Sequence, residues 1–317
     1  MSEPRVSVVL PTRNPDAGRL RRTLDGLAAQ TLKRADWELV MVDNGSASQV
    51  TLPGDWLAQN PTLAARVIVE PIPGLTPARL AGLRASRGEV VVFADDDNIL
   101  APGYLASVVI RFSENQRLGA AGGSVSPEFE TPPPEWTREF WCLLALHHQG
   151  NTPRIARGAG DAPWPNFAPV GAGLCVRRSA ALLYVDALGR DAARKTLDRR
   201  GASLASGGDN DLVFTIHHGG WDVAYFPELA LTHLIPTTRL QPDYLARLNQ
   251  GIQRSWVRVL ALHGCNPWPA IPRWTVPLRS ARAWLRTRAW RSPVHHIRWR
   301  GLHGRFLGQA DIGDSHE

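Results

Sequence analysis

The stretch Glu89-Val90-Val91-Val92-Phe93-Ala94-Asp95-Asp96-Asp97 decides the fold. Its β-branched run reads as a buried strand, and the abrupt switch to acid delivers three carboxylates to one edge of a sheet. Like charges this close repel, and such a cluster usually persists because a cation neutralises it. Hard carboxylate oxygens suit Mg²⁺ or Mn²⁺, ions that typically bridge one or two carboxylates to a substrate diphosphate. A solvated acidic turn after a strand is the plainer alternative, so the flanking sequence has to choose between them.

Upstream, strands and helices alternate. Val6-Ser7-Val8-Val9-Leu10 is an apolar run stopped by Pro11, and Leu20, Leu24, Leu27 and Ala28 follow at helical spacing. Trp37 to Val42 forms a second strand, stopped by the turn signal Asp43-Asn44-Gly45-Ser46. Arg66 to Glu70 is a third, short strand. Thr76 to Ala85 reads as a helix, with Thr76 as its cap before Pro77. A helix near Tyr104 to Phe112 follows the acidic strand. This alternation predicts an α/β fold with a mostly parallel central sheet, helices on both faces, and ligands at the carboxyl ends of the strands. Asp43 and Asp95 to Asp97 all fall at such ends.

Beyond Val125 the chain becomes rich in Pro and Trp, then passes through Val170-Gly171-Ala172-Gly173 into a strand at Leu174-Cys175-Val176. The expected organisation is an α/β half over residues 1–125, a second half over 126–240 and a basic Arg/Trp-rich helical tail over 241–317. With 317 residues, 44% of them hydrophobic and 21% charged, the composition is that of soluble globular proteins. No apolar stretch approaches the roughly 20 residues that span a bilayer, and the N-terminus lacks the apolar core of a secretory signal. Cys142, Cys175 and Cys265 are far apart and outside metal-like spacing, so they read as reduced, mostly buried thiols of a cytoplasmic protein.

The net charge of +7 is unevenly spread, because no Asp or Glu occurs from Tyr244 to Ala310. Leu278, Ala281, Leu285 and Ala289 recur there at helical spacing among Arg279, Arg282, Arg286 and Arg288, with Trp284 and Trp290 alongside. A basic amphipathic helix with interfacial Trp suits an anionic membrane surface, which makes residues 273–305 a candidate contact at the inner face of the plasma membrane. Packing of that helix on the protein, with Arg stems covering apolar surface, is the alternative. Interleaved Arg and Trp also stack on single-stranded nucleic acid, but no nucleic-acid module accompanies them, so that partner is not expected.

Taken in order, Val8-Val9-Leu10-Pro11-Thr12-Arg13-Asn14, Val42-Asp43-Asn44-Gly45-Ser46, Gly74-Leu75-Thr76-Pro77-Ala78-Arg79, Phe93-Ala94-Asp95-Asp96-Asp97-Asn98, Gly207-Gly208-Asp209-Asn210-Asp211-Leu212 and His233 resemble the inverting glycosyltransferases of the GT-A fold, family 2. The resemblance is closest over roughly the first 125 residues, weaker to about Pro236, and absent from the tail.

The resemblance implies roles position by position. Thr12 and Asp43 contact the nucleotide base, Asp43 accepting from a ring N–H of uracil or thymine, and Arg79 contacts the nucleotide. An Asx turn is the structural alternative for Asp43. Leu80 stands where the family usually has Asn after that Arg. Asp95 with Asp97, or Asp96 with Asp97, forms the DXD-type motif. Asp97 is the direct metal ligand in both alignments, and its neighbours hold the ribose or a metal-bound water. Asp209 matches the general base, although position 208 is glycine where the family usually has glutamate, and Asp211 is the rival base. His233 matches a histidine that often joins Asp97 on the metal.

The expectation is therefore a Mg²⁺- or Mn²⁺-dependent inverting glycosyltransferase. Its partners would be a UDP- or dTDP-sugar donor and a hydroxyl of a bacterial surface glycan or lipid-linked acceptor. A sugar nucleotidyltransferase or a dinucleotide-binding dehydrogenase would need glycines after the first strand, where Pro11-Thr12-Arg13-Asn14 stands. A non-catalytic binding protein of the same fold is the remaining alternative.

Overall fold

Residues 3–199, 201 and 203–313 are described in a computed structural model. In chain order the elements are β1 (Val6–Thr12), α1 (Ala17–Ala28), β2 (Trp37–Asp43), α2 (Gly54–Gln59), β3 (Ala64–Val69), α3 (Leu75–Ala85), β4 (Val90–Phe93), β5 (Asn98–Leu100), α4 (Tyr104–Glu114), β6 (Leu118–Gly122), β7 (Val125–Phe129), β8 (Arg154–Ala156), β9 (Cys175–Arg177), α5 (Arg178–Arg190), α6 (Gly208–His218), β10 (Asp222–Tyr225), β11 (Leu231–Ile235), α7 (Pro242–Leu262), α8 (Val276–Thr287) and α9 (Pro293–Gly313). They group into two compact units. One holds the chain up to Glu128 with Ala145–Asp191 and Leu212–Leu234; the other holds Phe129–Leu144, Ala192–Asp211 and the chain from Ile235 onward.

The first unit contains an eight-stranded sheet ordered β3-β2-β1-β4-β9-β6-β10-β8. β3, β2, β1 and β4 run parallel, as does β6 with β10, while β9 and β8 run against their neighbours. The mostly parallel sheet expected from the alternation is present. Two-residue periodicity sorts its side chains to opposite faces. Val8, Leu10, Leu39 and Val92 pack with Leu20, Leu24 and Leu27 of α1 and with Tyr104 and Phe112 of α4. Val9, Val40, Val91 and Phe93 pack with Ala78 and Leu83 of α3 and Ala180 and Tyr184 of α5. Helices therefore cover both faces. A three-stranded sheet, β5-β11-β7, adds β5 and β11 directly beyond the acidic stretch.

Two local expectations are corrected. β1 does not stop at Pro11 but continues to Thr12, paired with β2 as far as Asp43. Its register with β4 has already ended at Val9–Phe93, so the missing N–H of Pro11 costs no ladder bond on that side. α3 begins at Leu75, one residue ahead of Thr76. Gly74 is its N-cap at φ 138°, a conformation natural only to glycine, and Thr76 and Pro77 lie inside the first turn. Gly82 of α3 faces Val9, where an added Cβ would fall 2.2 Å from a Val9 methyl, so the helix lies close on β1. Of the cysteines only Cys175, on β9 of the sheet, is buried; Cys142, in a 3-10 helix over Glu135–Leu144, and Cys265, just past α7, are exposed.

Glu38 on β2 is fully buried and saturated with donors. Its Oε1 accepts from the Ser7 hydroxyl at 2.7 Å and the Arg87 N–H at 2.8 Å. Its Oε2 accepts from Arg66 at 2.6 Å and from the Arg87 guanidinium at 2.8 Å. Burial opposes ionisation, but these donors outweigh it and hold the carboxyl down at about 2, from an ordinary 4.5. A depressed carboxyl stabilises the fold above its unfolded value and loses that contribution as the pH falls through the folded one. The loss between pH 4.5 and about 2 is therefore expected to be roughly 3 kcal/mol, and Glu38→Gln should flatten denaturant-measured stability over that window.

The second unit is helical, and α7 packs on α9 at backbone contact. An added Cβ at Gly304 would meet the Gln250 carbonyl at 2.2 Å, and at Gly308 the Arg254 carbonyl at 2.8 Å. α8 joins through the Trp299 indole, which donates to the Ser280 carbonyl at 3.0 Å. The face of α8 that packs is not the Leu/Ala stripe. Val276, Ser280 and Ala283 are buried, whereas Leu278 and Leu285 remain 68% and 61% exposed. No helix among the described residues is long and apolar enough to cross a membrane.

Candidate functional site

The tips of β1, β2 and β4 bring the nucleotide-site candidates of the first unit to one sheet edge. Thr12 ends β1 and its hydroxyl donates to Asp96 Oδ2. Asp43 ends β2 and is almost wholly buried. Its Oδ1 accepts from the Ser46 N–H at 3.0 Å and its Oδ2 from the Val50 N–H at 3.2 Å. Burial disfavours its charge, yet the Ser46 side chain and these backbone donors prevail and hold the carboxyl below its usual range. Asp43 thus does form the Asx-type turn; each carboxylate oxygen keeps a further lone pair for another donor.

The loop after β2 ties that tip to α3. Asn44 donates to the Glu70 and Ile72 carbonyls at 3.0 and 2.8 Å and accepts from the Gly74 N–H at 2.7 Å. One turn into α3, Arg79 is buried with its guanidinium 5.6 Å from the Phe93 ring centroid. A flat cation held on the last aromatic of β4 stands just before the acidic stretch. Phe93 in this role escaped sequence reasoning, since a strand aromatic reads as core.

After β4 the chain turns tightly. The Asn98 N–H donates to the Asp95 carbonyl at 3.1 Å, and the Asn98 side chain accepts from the Asp95 N–H at 3.1 Å while donating to Asp97 Oδ1 at 2.9 Å. This clamp turns Asp97 inward, where it is buried, and leaves Asp95 and Asp96 half-exposed. β5 then pairs with β11, setting Asn98 opposite His233. His233 Nε2 lies 3.4 Å from Asp97 Oδ2, and the Leu234 N–H donates to the Asp97 carbonyl at 2.8 Å. Residues 136 positions apart in sequence, Asp97 and His233, are thus brought together by one strand pairing.

No group of three or more His, Cys, Asp or Glu side chains converges as a metal cage among the described residues. The pair itself fits a divalent ion: two adjacent ligands at ~2.1 Å on an octahedral centre lie about 3 Å apart, close to the spacing seen. An ion bound there would supply charge stabilisation to a diphosphate.

The second unit carries the two base candidates on the first turn of α6. Asp209 is half-buried, with Oδ1 accepting the Asn210 N–H at 2.9 Å. Asp211 is sealed from solvent, and its Oδ1 accepts from Arg194 and lies 2.8 Å from His263 Nε2. The missing side chain at position 208 is also explained. A Cβ there would fall 2.6 Å from Asp198 Oδ2, so a buried carboxylate from ten residues upstream fills the space beside Asp209. The glycine marked a departure from the family pattern, but nothing local identified Asp198, Arg194 or His263.

Known proteins resemble this chain in sequence and in fold. The N-acetylglucosaminyltransferase of Mesorhizobium japonicum is 26% identical over 242 residues, spanning 74% of this chain and 52% of its own. The Pyrobaculum calidifontis mannosyltransferase PcManGT, solved with GDP-Man and Mn²⁺, has a TM-score of 0.56 at 19% identity, covering 99% of this chain and 88% of that one. TarS 1–349 of S. aureus, solved with UDP, has a TM-score of 0.51 at 14% identity, covering 98% and 92%. These likenesses establish the GT-A architecture. The chain spans about half the length of the curated relatives it matches. The family model for glycosyl transferase family 2 matches residues 7–180, a segment that holds Thr12, Asp43, Arg79 and the acidic stretch and stops short of Asp209, Asp211 and His233. More than half of the chain falls within that match, and the protein belongs to glycosyl transferase family 2.

Proposed function

We propose that the protein is a metal-dependent inverting glycosyltransferase. It moves a sugar from a nucleotide diphosphate donor, UDP- or dTDP-linked, to a hydroxyl of a bacterial surface glycan or lipid-linked acceptor. The observation that carries this reading is the buried Asp97–His233 pair at 3.4 Å, next to the Thr12–Asp96 hydrogen bond. Residues 1–125 would serve as the donor half, 126–240 as the acceptor half and 241–317 as the basic tail.

Each residue has a task in this scheme. Thr12 and Asp43 orient the base, and Arg79, stiffened against Phe93, meets the nucleotide. Asp95 and Asp96 hold the ribose or a bound water. A Mg²⁺ or Mn²⁺ ion held by Asp97 and His233, with Asp95 within the same turn, would supply charge stabilisation for the departing diphosphate. Asp209 takes the proton of the acceptor hydroxyl as that oxygen attacks from the face opposite the leaving group. Asp211 is disfavoured as the base because it is sealed from solvent and its Oδ1 is already engaged by Arg194 and His263.

A panel of nucleotide sugars with Mn²⁺ tests the proposal. UDP- or dTDP-sugars should raise the melting temperature by mass action and release nucleoside diphosphate in the presence of a hydroxyl acceptor. Binding without release under any acceptor would favour a non-catalytic binding protein instead.

The exposed face of α8 supports a peripheral place at an anionic inner leaflet. On α8, Leu278 and Leu285 are 68% and 61% exposed, flanked by Arg279, Arg282 and Arg286, and Trp274, just before the helix, is 74% exposed. Each Arg near such a surface contributes about 1 kcal/mol. The protein is expected to co-sediment with phosphatidylglycerol-rich vesicles, and Leu278→Glu with Leu285→Glu should abolish this without changing the melting temperature.

A further inference from the structure

Arg247, Gly251, Arg254 and Arg258 recur at spacings of four, three and four, so one stripe of α7 carries three guanidiniums. With Arg300 and Asp311 of α9 they line a cavity of about 810 Å³ in the helical unit. Leu204, Leu262 and Ile312 supply apolar wall to the same space. The approach of α9 that forms it depends on the glycines facing α7.

The charges around this cavity do not balance. Asp311, its one acidic lining residue, accepts from Arg254 Nε at 2.6 Å and Nη2 at 2.9 Å, and also from Arg273 at 3.4 Å. Arg258 donates to the Thr196 hydroxyl at 2.6 Å. Among the described residues, Arg247 and Arg300 have no carboxylate within ion-pairing distance, and they are near enough to repel. Burial and the Arg247 charge together pull the Arg300 guanidinium below its usual range. Arg300 is half-buried with its guanidinium 5.7 Å from the Trp299 ring centroid, which limits its freedom to swing away. Two like-charged forks facing a concave space are relieved by an oxyanion, and a guanidinium fork matches phosphate in shape as well as charge.

We propose that this cavity binds a phosphate or diphosphate group, held by Arg247 and Arg300, on a ligand whose remainder lies against Leu204, Leu262 and Ile312. The site is independent of the Asp97 edge and of the activity assigned to it. The same head-group chemistry has two sources, a water-soluble phosphate ester or a lipid diphosphate. Isothermal titration of the whole protein with inorganic pyrophosphate and with monomeric farnesyl diphosphate separates them, in EDTA so that no metal assists binding elsewhere. Both probes should bind saturably, and roughly tenfold or more weakly to Arg247→Ala and to Arg300→Ala. Tighter farnesyl diphosphate assigns the lipid source; equal affinities assign the soluble ester. Arg247 is exposed, so its variant should melt with the wild type and keeps the test valid should Arg300→Ala fold poorly. Absence of saturable binding by either probe, or binding indifferent to Arg247→Ala, overturns the proposal. UDP binding with Mn²⁺ should persist in both variants, so a failure here leaves the donor reading standing.

Discussion

Asp97→Asn is expected to lower glycosyl transfer by about 10³-fold or more, equivalent to roughly 4 kcal/mol of transition-state stabilisation. It should also erase the Mn²⁺-dependent rise in melting temperature with UDP or dTDP. The substitution is nearly isosteric. Its amide oxygen can still accept from the Asn98 side chain, which now donates to Asp97 Oδ1 at 2.9 Å, so the turn after β4 keeps its clamp. What disappears is the charge 3.4 Å from His233 Nε2. A neutral pair would offer a divalent ion one imidazole and a weak amide oxygen, far less than a carboxylate provides. The melting temperature without ligand should shift by no more than a few degrees, since a buried carboxylate is exchanged for a neutral group of the same shape. Retention of Mn²⁺-dependent stabilisation in Asp97→Asn would remove the acidic edge from the mechanism.

The second large effect separates two aspartates on one helical turn. Asp209→Ala should reduce turnover by about 10²–10⁴-fold, the range for loss of a general base, with donor affinity and melting temperature preserved. Asp211→Ala should instead destabilise the protein by about 3–5 kcal/mol, because Arg194 and His263 would be left buried around a missing carboxylate. Chemical denaturation and donor titration read these outcomes separately. A stable, donor-binding but inactive Asp211→Ala beside an active Asp209→Ala would exchange the two roles.

Much of the candidate site was legible because it lies at strand ends, where a switch from apolar to polar residues is visible in one dimension. Thr12, Asp43 and Asp95 to Asp97 follow such switches, and the family match reaches all of them. Local errors arose where a rule about one residue ignored its neighbours. Pro11 continues its strand because the adjacent ladder has already ended, and Gly74 rather than Thr76 caps α3 because the chain arrives there at positive φ. The periodic stripe holds only in part: Leu278, Ala281 and Leu285 lie on α8, but the helix ends at Thr287 and Ala289 beyond it is buried, and which side of α8 packs depended on α9, whose Trp299 engages Ser280.

The amino-acid order by itself determined the alternation of elements, the acidic strand tip, the basic C-terminal tail and the family, since each is carried by near neighbours in the chain. Tertiary structure alone decided that His233 meets Asp97, that Asp198 fills the gap at Gly208, that Asp211 is locked between Arg194 and His263, and that Leu278 and Leu285 face outward. The reason is physical. Hydrogen bonds within turns and the pleat of a strand act over a few residues, whereas pairing of β5 with β11 and packing of α7 on α9 join segments whose separation leaves no periodic trace in sequence.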